Sequence, residues 1–195
     1  MKVLLYGHSY VRDLNQKCDW SQPLTIQGQA VRADYSFRYF PGKDYEFLLH
    51  KPQEFEILAS INPEYIVVIL GGNSIVASKS NQEINGLATE FYQRLRASLP
   101  NAVIIATQIE PRYYPENNHF EAPPREEFNR RRVALNTYVN KRLRRRGLVN
   151  YVAVLGSAAN YGPYSFRDGV HLMKGPLVEY QQNILGALIY AAEHQ

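Results

Sequence analysis

Three residues with nucleophilic and proton-transfer chemistry lie far apart in the chain. Ser9 follows a short apolar run that ends at Gly7, and Asp168 and His171 lie three residues apart near the carboxyl end. A serine hydroxyl is a weak nucleophile until a base removes its proton, and His171 has the side chain for that step. A carboxylate such as Asp168 orients the imidazole and stabilises its protonated form. Together, these three residue types indicate nucleophilic acyl transfer.

Acyl transfer also needs hydrogen-bond donors directed at the oxygen that becomes negative in the transition state. The backbone N–H groups of Ser9 and Gly42 and the side-chain amide of Asn73 are candidates for this oxyanion hole. Each residue alone has a structural alternative, because serine after a strand often caps a helix and glycine or asparagine often forms a turn. The occurrence of all these pieces after predicted strands favours a shared site.

The elements that must position these residues alternate along the chain. Continuous or alternating apolar segments predict strands near 2–6, 34–40, 65–70, 102–107 and 149–155. Apolar residues at three- and four-residue spacing predict helices over 81–99, 125–146 and 176–193. This alternation predicts one α/β domain over 1–195 with a mostly parallel sheet. The carboxyl ends of such strands share one edge, where these sheets bind ligands.

Composition excludes several classes of protein. The chain has 195 residues, 45% of them hydrophobic, so it can bury a core of its own. Its single cysteine, Cys18, excludes an internal disulfide framework and any multi-cysteine metal site. No stretch approaches the roughly 18 apolar residues of a membrane span. The amino-terminal apolar run is too short for a signal peptide, so we expect an intracellular protein.

Positive charge is concentrated in one segment. Residues 125–146 contain nine of the 22 basic residues and two of the 18 acidic ones. Such a segment can bind an anionic partner, either nucleic acid or an anionic membrane, and its alternative is a solvated helix face. The candidate anion-binding residues lie away from the apolar stripe of the predicted helix: Arg130, Arg131, Lys141, Arg144 and Arg145.

A proline-rich segment, 108–124, follows the fourth predicted strand and has no periodicity. Loops of this length in compact domains are usually functional or mobile. Its aromatic and histidine side chains are candidate substrate contacts, and surface aromatics are the alternative: Tyr113, Tyr114, His119 and Phe120.

Four sequence blocks resemble those of the SGNH hydrolases, the superfamily that contains the GDSL esterases and lipases. The blocks are GHSYVRDL with Ser9, FPGKDYEFL with Gly42, VVILGGNS with Asn73, and DGVHL with Asp168 and His171. The resemblance implies a three-layer α/β/α sandwich with a central, about five-stranded parallel sheet of flavodoxin-like type. It also implies a serine esterase with a Ser-His-Asp triad and no metal or cofactor.

The implied substrates are small-molecule or lipid esters, with short acyl or acetyl groups favoured because no lid domain is inserted. The alternative is a weak or inactive module of this fold that binds an anionic partner through 125–146. Two positions depart from the family pattern. His8 and Ser74 replace aspartates that mainly support the loops around the site. These replacements predict weaker support for Ser9 and Asn73, and His8 is also a candidate substrate contact.

A narrower resemblance links Gly-His-Ser-Tyr-Val-Arg at 7–12, the DGVHL block and the arginine-rich segment to SGNH domains carried by animal retroelements. That resemblance implies that the chain is one domain of a larger polyprotein.

Overall fold

The computed structural model describes residues 1–113, 122–154 and 162–194. Its central sheet has the spatial order β4-β1-β5-β6-β7, and every pair of neighbouring strands in it is parallel. A separate antiparallel hairpin contains β2 and β3. The strands are β1 (Lys2–Gly7), β2 (Leu24–Ile26), β3 (Gln29–Val31), β4 (Asp34–Tyr39), β5 (Tyr65–Ile69), β6 (Val103–Thr107) and β7 (Tyr151–Ala153).

Helices cover both faces of the central sheet, which gives the three layers predicted from the sequence. One apolar core packs α1 and α6 against one face, and a second core packs α2 to α5 against the other. Alternate residues of β1 supply both cores, because successive side chains of a strand point to opposite faces. The helices are α1 (Ser9–Lys17), α2 (Tyr45–Leu49), α3 (Pro52–Ile61), α4 (Asn81–Ser98), α5 (Arg125–Tyr138) and α6 (Lys174–Glu193).

The five predicted strands and three predicted helices all occur, with shifted ends. The predicted helix over 125–146 is α5 followed directly by a π-helical segment, Val139–Leu143. The hairpin and the three shorter helices α1 to α3 were not predicted, because each is short and lacks a sustained apolar period. Among the described residues, no helix is long and apolar enough to span a bilayer.

The strand order also fixes where a site can form. If the five strands of the central sheet are numbered in chain order, their order across the sheet is 2-1-3-4-5. The direction in which the chain crosses from strand to strand therefore reverses between β1 and β5. Ligands of open parallel sheets bind outside the carboxyl ends of the strands at such a reversal. Gly7 ends β1 and Gly71 follows β5, so the first and third sequence blocks lie at this point.

One predicted anion-binding residue is placed differently. Arg131 is 5% exposed, and its guanidinium donates hydrogen bonds to Asn81 Oδ1 and to the carbonyls of Val76 and Lys79. The prediction that Arg131 lies on an accessible basic face is therefore wrong. Its hydrogen bonds connect α5 to the segment before α4. A buried guanidinium needs several acceptors to offset the cost of its desolvation, and these groups supply them.

Candidate active site

Ser9 is held at the carboxyl end of β1 by a close approach of two strands. A Cβ on Gly7 would lie 2.0 Å from the carbonyl oxygen of Ile69 in β5, so only glycine fits there. The next residue, His8, is the N-cap of α1, and its Nδ1 accepts a hydrogen bond from the amide of Tyr10. Ser9 is therefore the first residue of α1, where the amides of the first turn have no partner within the helix.

The structure brings the three separated residues into one hydrogen-bonded chain. Ser9 Oγ and His171 Nε2 are 2.8 Å apart, and His171 Nδ1 and Asp168 Oδ2 are also 2.8 Å apart. Because a carboxylate only accepts hydrogen bonds, Nδ1 carries the imidazole proton and donates it to Asp168. Nε2 then has the free lone pair and accepts from the hydroxyl of Ser9. The geometry is that of a nucleophile, a base and a residue that orients the base.

Asp168 stays ionised although it is partly buried. Partial burial alone would raise its pKa, but the carboxylate accepts hydrogen bonds from the amides of His171 and Val170 and from the His171 ring. These bonds lower the pKa of Asp168 to about 2. A fixed negative charge therefore faces Nδ1 of His171 at any pH near neutrality.

The loop that carries Asp168 and His171 is fixed from two sides. The hydroxyl of Tyr10, in α1, donates to the carbonyl of Val170 over 2.6 Å. The amide of Tyr113 donates to the carbonyl of Gly169 over 2.7 Å. The Tyr113 ring packs against Phe166, with ring centroids 5.2 Å apart. Tyr113 was predicted as a substrate contact, and the structure shows it supporting this loop.

The predicted oxyanion donors border the same open cleft as Ser9. Gly42 lies in a turn after Pro41 with φ +73°, a left-handed conformation that favours glycine. Asn73 follows β5, and its Nδ2 donates to the carbonyl of Lys43 over 3.1 Å. Its Oδ1 accepts from Nη2 of Arg112 over 2.8 Å. The amide group of Asn73 is thus held with its nitrogen toward the turn that contains Gly42.

The two departures from the family pattern both make hydrogen bonds inside the site loops. Ser74 is fully buried, and its Oγ accepts from the amide of Tyr45 over 3.3 Å, which connects the loop after β5 to the start of α2. His8 is 8% exposed, and it caps α1 as described above. Burial, together with the charges of Arg112 and His171, lowers the pKa of His8 to about 3, so its ring is neutral.

Two arginines and a glutamate that the sequence analysis did not single out also border the site. Arg12 and Arg112 line the open cleft together with Ser9 and His171. Glu110 and Arg112 line an inner cavity that also reaches Ser9. Glu110 and Arg112 lie in the segment that leaves the carboxyl end of β6 at Thr107, and this position at the edge of the sheet was the available signal. The predicted contacts Tyr114, His119 and Phe120 lie outside the described residues.

No group of three or more histidine, cysteine, aspartate or glutamate side chains that could hold a metal ion occurs within the described ranges.

The sequence matches no protein-family model and no curated protein. Solved structures share its fold at low identity. An acetyl esterase mutant with acetate ion is 17% identical, with a TM-score of 0.68 over 100% of this chain and 99% of that one. A carbohydrate esterase family 3 protein from Talaromyces cellulolyticus is 18% identical, with a TM-score of 0.65 over 100% and 99%. A GDSL-like lipase from Bacteroides thetaiotaomicron VPI-5482 is 14% identical, with a TM-score of 0.62 over 99% and 88%. The fold implied by the sequence blocks, that of the SGNH hydrolases, is confirmed.

Proposed function

We propose that this chain is a serine esterase of the SGNH hydrolase superfamily that cleaves carboxylic esters with short acyl or acetyl groups. The observation that carries the proposal is the hydrogen-bonded chain Ser9–His171–Asp168, with 2.8 Å between the reacting atoms of each pair. It lies at the strand reversal of a parallel sheet, where this architecture binds ligands. The fold is shared with esterases and lipases, which supports the same reaction class.

The first half of the reaction acylates Ser9. Its Oγ attacks the ester carbonyl carbon while the hydroxyl proton passes to Nε2 of His171. The carbonyl oxygen takes the electron pair and becomes negative. As the tetrahedral intermediate collapses, the bond to the alcohol oxygen breaks and His171 returns the proton to the departing alcohol. In the second half, water takes the place of the alcohol and releases the acid and free Ser9.

The negative oxygen of the intermediate needs donors that are already in place. We assign this role to the amides of Ser9 and Gly42 and to Nδ2 of Asn73. The helix start at Ser9 supports the assignment, because a partial positive charge resides at the amino terminus of a helix. The Arg112 contact to Oδ1 supports it as well, because it keeps the Nδ2 side of Asn73 directed toward the turn at Gly42.

The test is hydrolysis of a p-nitrophenyl ester series from acetyl to octanoyl, combined with fluorophosphonate labelling and mass spectrometry of the modified peptide. We expect the label on Ser9 and the highest kcat/KM on the shortest acyl groups. Ser9→Ala should lose both labelling and turnover, and Ser60→Ala is the matched control because Ser60 is exposed on α3. Equal rates for wild type and Ser9→Ala would overturn the proposal.

A second candidate function, binding of an anionic partner such as nucleic acid, is favoured by the surface that follows α5. Five basic residues there are exposed: Lys141, Arg142, Arg144, Arg145 and Arg146. None of the five forms an ion pair with an acidic residue of the described chain. This basic cluster precedes the start of β7, so it lies toward the amino edge of the sheet, away from Ser9 at the carboxyl edge.

Because the two regions lie at opposite edges, anion binding is separable from hydrolysis. Fluorescence anisotropy with a single-stranded oligonucleotide at two salt concentrations tests it, since binding through phosphates weakens steeply with salt. Replacing Arg142, Arg144 and Arg145 together by glutamine should abolish the binding and leave esterase activity unchanged. The control changes Lys2, Arg32 and Lys51, which are exposed elsewhere. Absence of binding at low salt removes this candidate.

A further inference from the structure

The open cleft beside Ser9 carries more positive than negative charge. Among the described residues that line it, the charged ones are Arg12, Arg112 and Asp168, and its volume is about 410 Å³. The carboxylate of Asp168 already faces the ring of His171, with 2.8 Å between Oδ2 and Nδ1. A substrate that enters the cleft therefore meets two guanidinium groups and one carboxylate that is already paired.

Arg12 lies one helical turn after the nucleophile. Ser9 is the first residue of α1 and Arg12 is the fourth, so their side chains are neighbours on one face of the helix. Both residues line the open cleft, so this face of α1 borders it. A substrate whose ester carbonyl lies at Ser9 can therefore place a second group at the Arg12 guanidinium.

A buried carboxylate holds the Arg12 guanidinium in place. Nε and Nη2 of Arg12 donate to Oδ1 of Asp13 over 3.1 and 3.0 Å, and Nζ of Lys17 donates to Oδ2 of Asp13 over 3.2 Å. The Asp13 side chain is 4% exposed, and it is not among the described residues that line the cleft. One negative charge thus faces two positive ones, so Asp13 orients Arg12 without neutralising the pair of cations.

The contact with Asp13 occupies one edge of the guanidinium and leaves the other edge available. Nη1 of Arg12 has no hydrogen-bond acceptor among the described residues, and the side chain is 34% exposed. Nη1 and the second proton of Nη2 form a planar fork that matches two oxygens of a carboxylate or phosphate. Arg112 has a different role, because its Nη2 donates to Oδ1 of Asn73, and it adds positive charge to the same cleft.

The two halves of the ester have unequal room at Ser9. On the reaction proposed above, His171 returns a proton to the departing alcohol, so the alcohol lies in the open cleft that His171 and Arg12 both line. The inner cavity that also reaches Ser9 has a volume of about 30 Å³, which holds little more than a water molecule. A group that reaches Arg12 therefore belongs to the alcohol half.

We propose that Arg12 is a specificity-determining residue that binds a carboxylate or phosphate group on the alcohol half, so that the preferred substrates are short acyl esters of anionic alcohols. This role of Arg12 rests on the proposed esterase function. It requires more than that function does, because neutral acetyl esters can be cleaved whether or not Arg12 contacts an anion.

The experiment compares anionic acetyl esters with neutral amides of the same shape. Acetoxyacetate is paired with acetoxyacetamide, and p-acetoxybenzoate and p-acetoxyphenyl phosphate are each paired with p-acetoxybenzamide. The anionic-to-neutral ratio of kcat/KM is measured in wild type, Arg12→Gln and Arg12→Lys, and comparing ratios between proteins cancels the intrinsic reactivity of the esters. We expect at least one ratio to fall about tenfold in Arg12→Gln, because a charge-assisted hydrogen bond at a partly exposed site is lost.

The remaining comparisons identify the anion and the contribution of charge. The anion whose ratio falls most in Arg12→Gln, carboxylate or phosphate, is the one that Arg12 recognises. Arg12→Lys keeps the charge without the planar fork, so its ratio should lie between those of wild type and Arg12→Gln. The wild-type ratios should also fall as salt is added, because partly exposed charges are screened, and those of Arg12→Gln should change little.

Lys17→Gln is the matched control, because it removes the other cation at Asp13 and Lys17 is not among the described residues that line the cleft. Its ratios should stay close to those of wild type, and a fall equal to that of Arg12→Gln would overturn the proposed contact. Equal ratios in wild type and Arg12→Gln, with hydrolysis of the neutral esters intact, overturn it as well and leave the esterase proposal standing. If Arg12→Gln misfolds by circular dichroism, Arg12→Lys and the wild-type salt series decide, and wild-type ratios that do not change with salt overturn the contact. Loss of all hydrolysis in the wild type removes both proposals.

Discussion

Nη2 of Arg112 donates a hydrogen bond to Oδ1 of Asn73 over 2.8 Å, and this contact orients the amide group beside Ser9. The arginine is itself held by two features. Its guanidinium lies over the ring of Phe128, 4.5 Å from the centroid, and its backbone amide and carbonyl both bond the side chain of Asn129. Arg112 therefore connects α5 to the loop after β5, and it acts on the proposed reaction through Asn73.

Removing the Arg112 side chain should slow turnover more than it weakens substrate binding. In Arg112→Met we expect kcat to fall about tenfold, because Asn73 can then rotate away from the oxyanion. Asn73→Ala removes the donor itself and should cost about 10²–10³ in kcat. Arg32→Met, on an exposed residue, should behave as wild type.

A double-mutant cycle identifies the route by which Arg112 acts. If Arg112 works through Asn73, the two effects are not additive, and Arg112→Met should change little in the Asn73→Ala background. Additive effects on kcat, or an effect confined to KM, would show instead that Arg112 contacts substrate directly.

Asp168 should be essential for turnover, and replacing its ionised carboxylate should also lower the stability of the fold near pH 7. Asp168→Asn removes the negative charge opposite Nδ1 of His171 and favours the wrong tautomer, so we expect kcat to fall by about 10³–10⁴. The asparagine Oδ1 can still accept from the amides of Val170 and His171, which keeps the loop in place. Thermal unfolding checks stability, and a drop in kcat below tenfold would contradict the assigned role.

The contribution of Asp168 to the free energy of unfolding depends on pH with a definite sign. The pKa of Asp168 in the folded chain is lowered to about 2, below its ordinary value near 4. The group therefore stabilises the fold above pH 4, and this contribution is lost as the pH falls from about 4 to 2. Asp168→Asn should flatten that part of the stability curve, as measured by urea unfolding at pH 3 and pH 6.

The sequence predicts the strands, because each is a continuous or alternating apolar run, and its first and last blocks supply the residues of the proposed triad. It does not predict the contacts of Arg112 or Glu110, since these depend on how the segment after β6 lies across β5. Arg131 is another residue whose contacts the sequence does not predict. Its position on α5 looked solvent-facing by helical period alone, but α5 packs beside the segment before α4, which buries it.

Ser74 offers a test of how the third block is supported. Its buried Oγ accepts from the amide of Tyr45, so Ser74→Ala leaves that amide without its partner and should destabilise the fold by about 1–2 kcal/mol. The loop that carries Asn73 should also loosen, which lowers kcat a few-fold. Ser78→Ala, on an exposed serine nearby, is the control. Unfolding in urea and kcat on p-nitrophenyl acetate measure the two effects, and a fully stable Ser74→Ala would contradict this view of the contact.

Glu110 should make the protein less stable as the pH rises toward 8. In the folded chain its pKa is raised from 4.5 to about 8, mainly by burial. Between these values the folded state holds a proton that the unfolded chain has released, so folding is increasingly disfavoured as the pH rises through this window. Each pKa unit corresponds to about 1.4 kcal/mol at most, reached only at the upper end of the window.

Glu110→Gln cannot titrate, so its free energy of unfolding should lack this slope. We expect the variant to be similar to wild type near pH 4.5 and more stable at pH 8, as measured by urea unfolding at several pH values. Glu56→Gln, whose residue is exposed, should follow wild type throughout. Parallel stability curves for wild type and Glu110→Gln would mean that the carboxyl of Glu110 titrates normally, which requires solvent or a charged partner at the inner cavity.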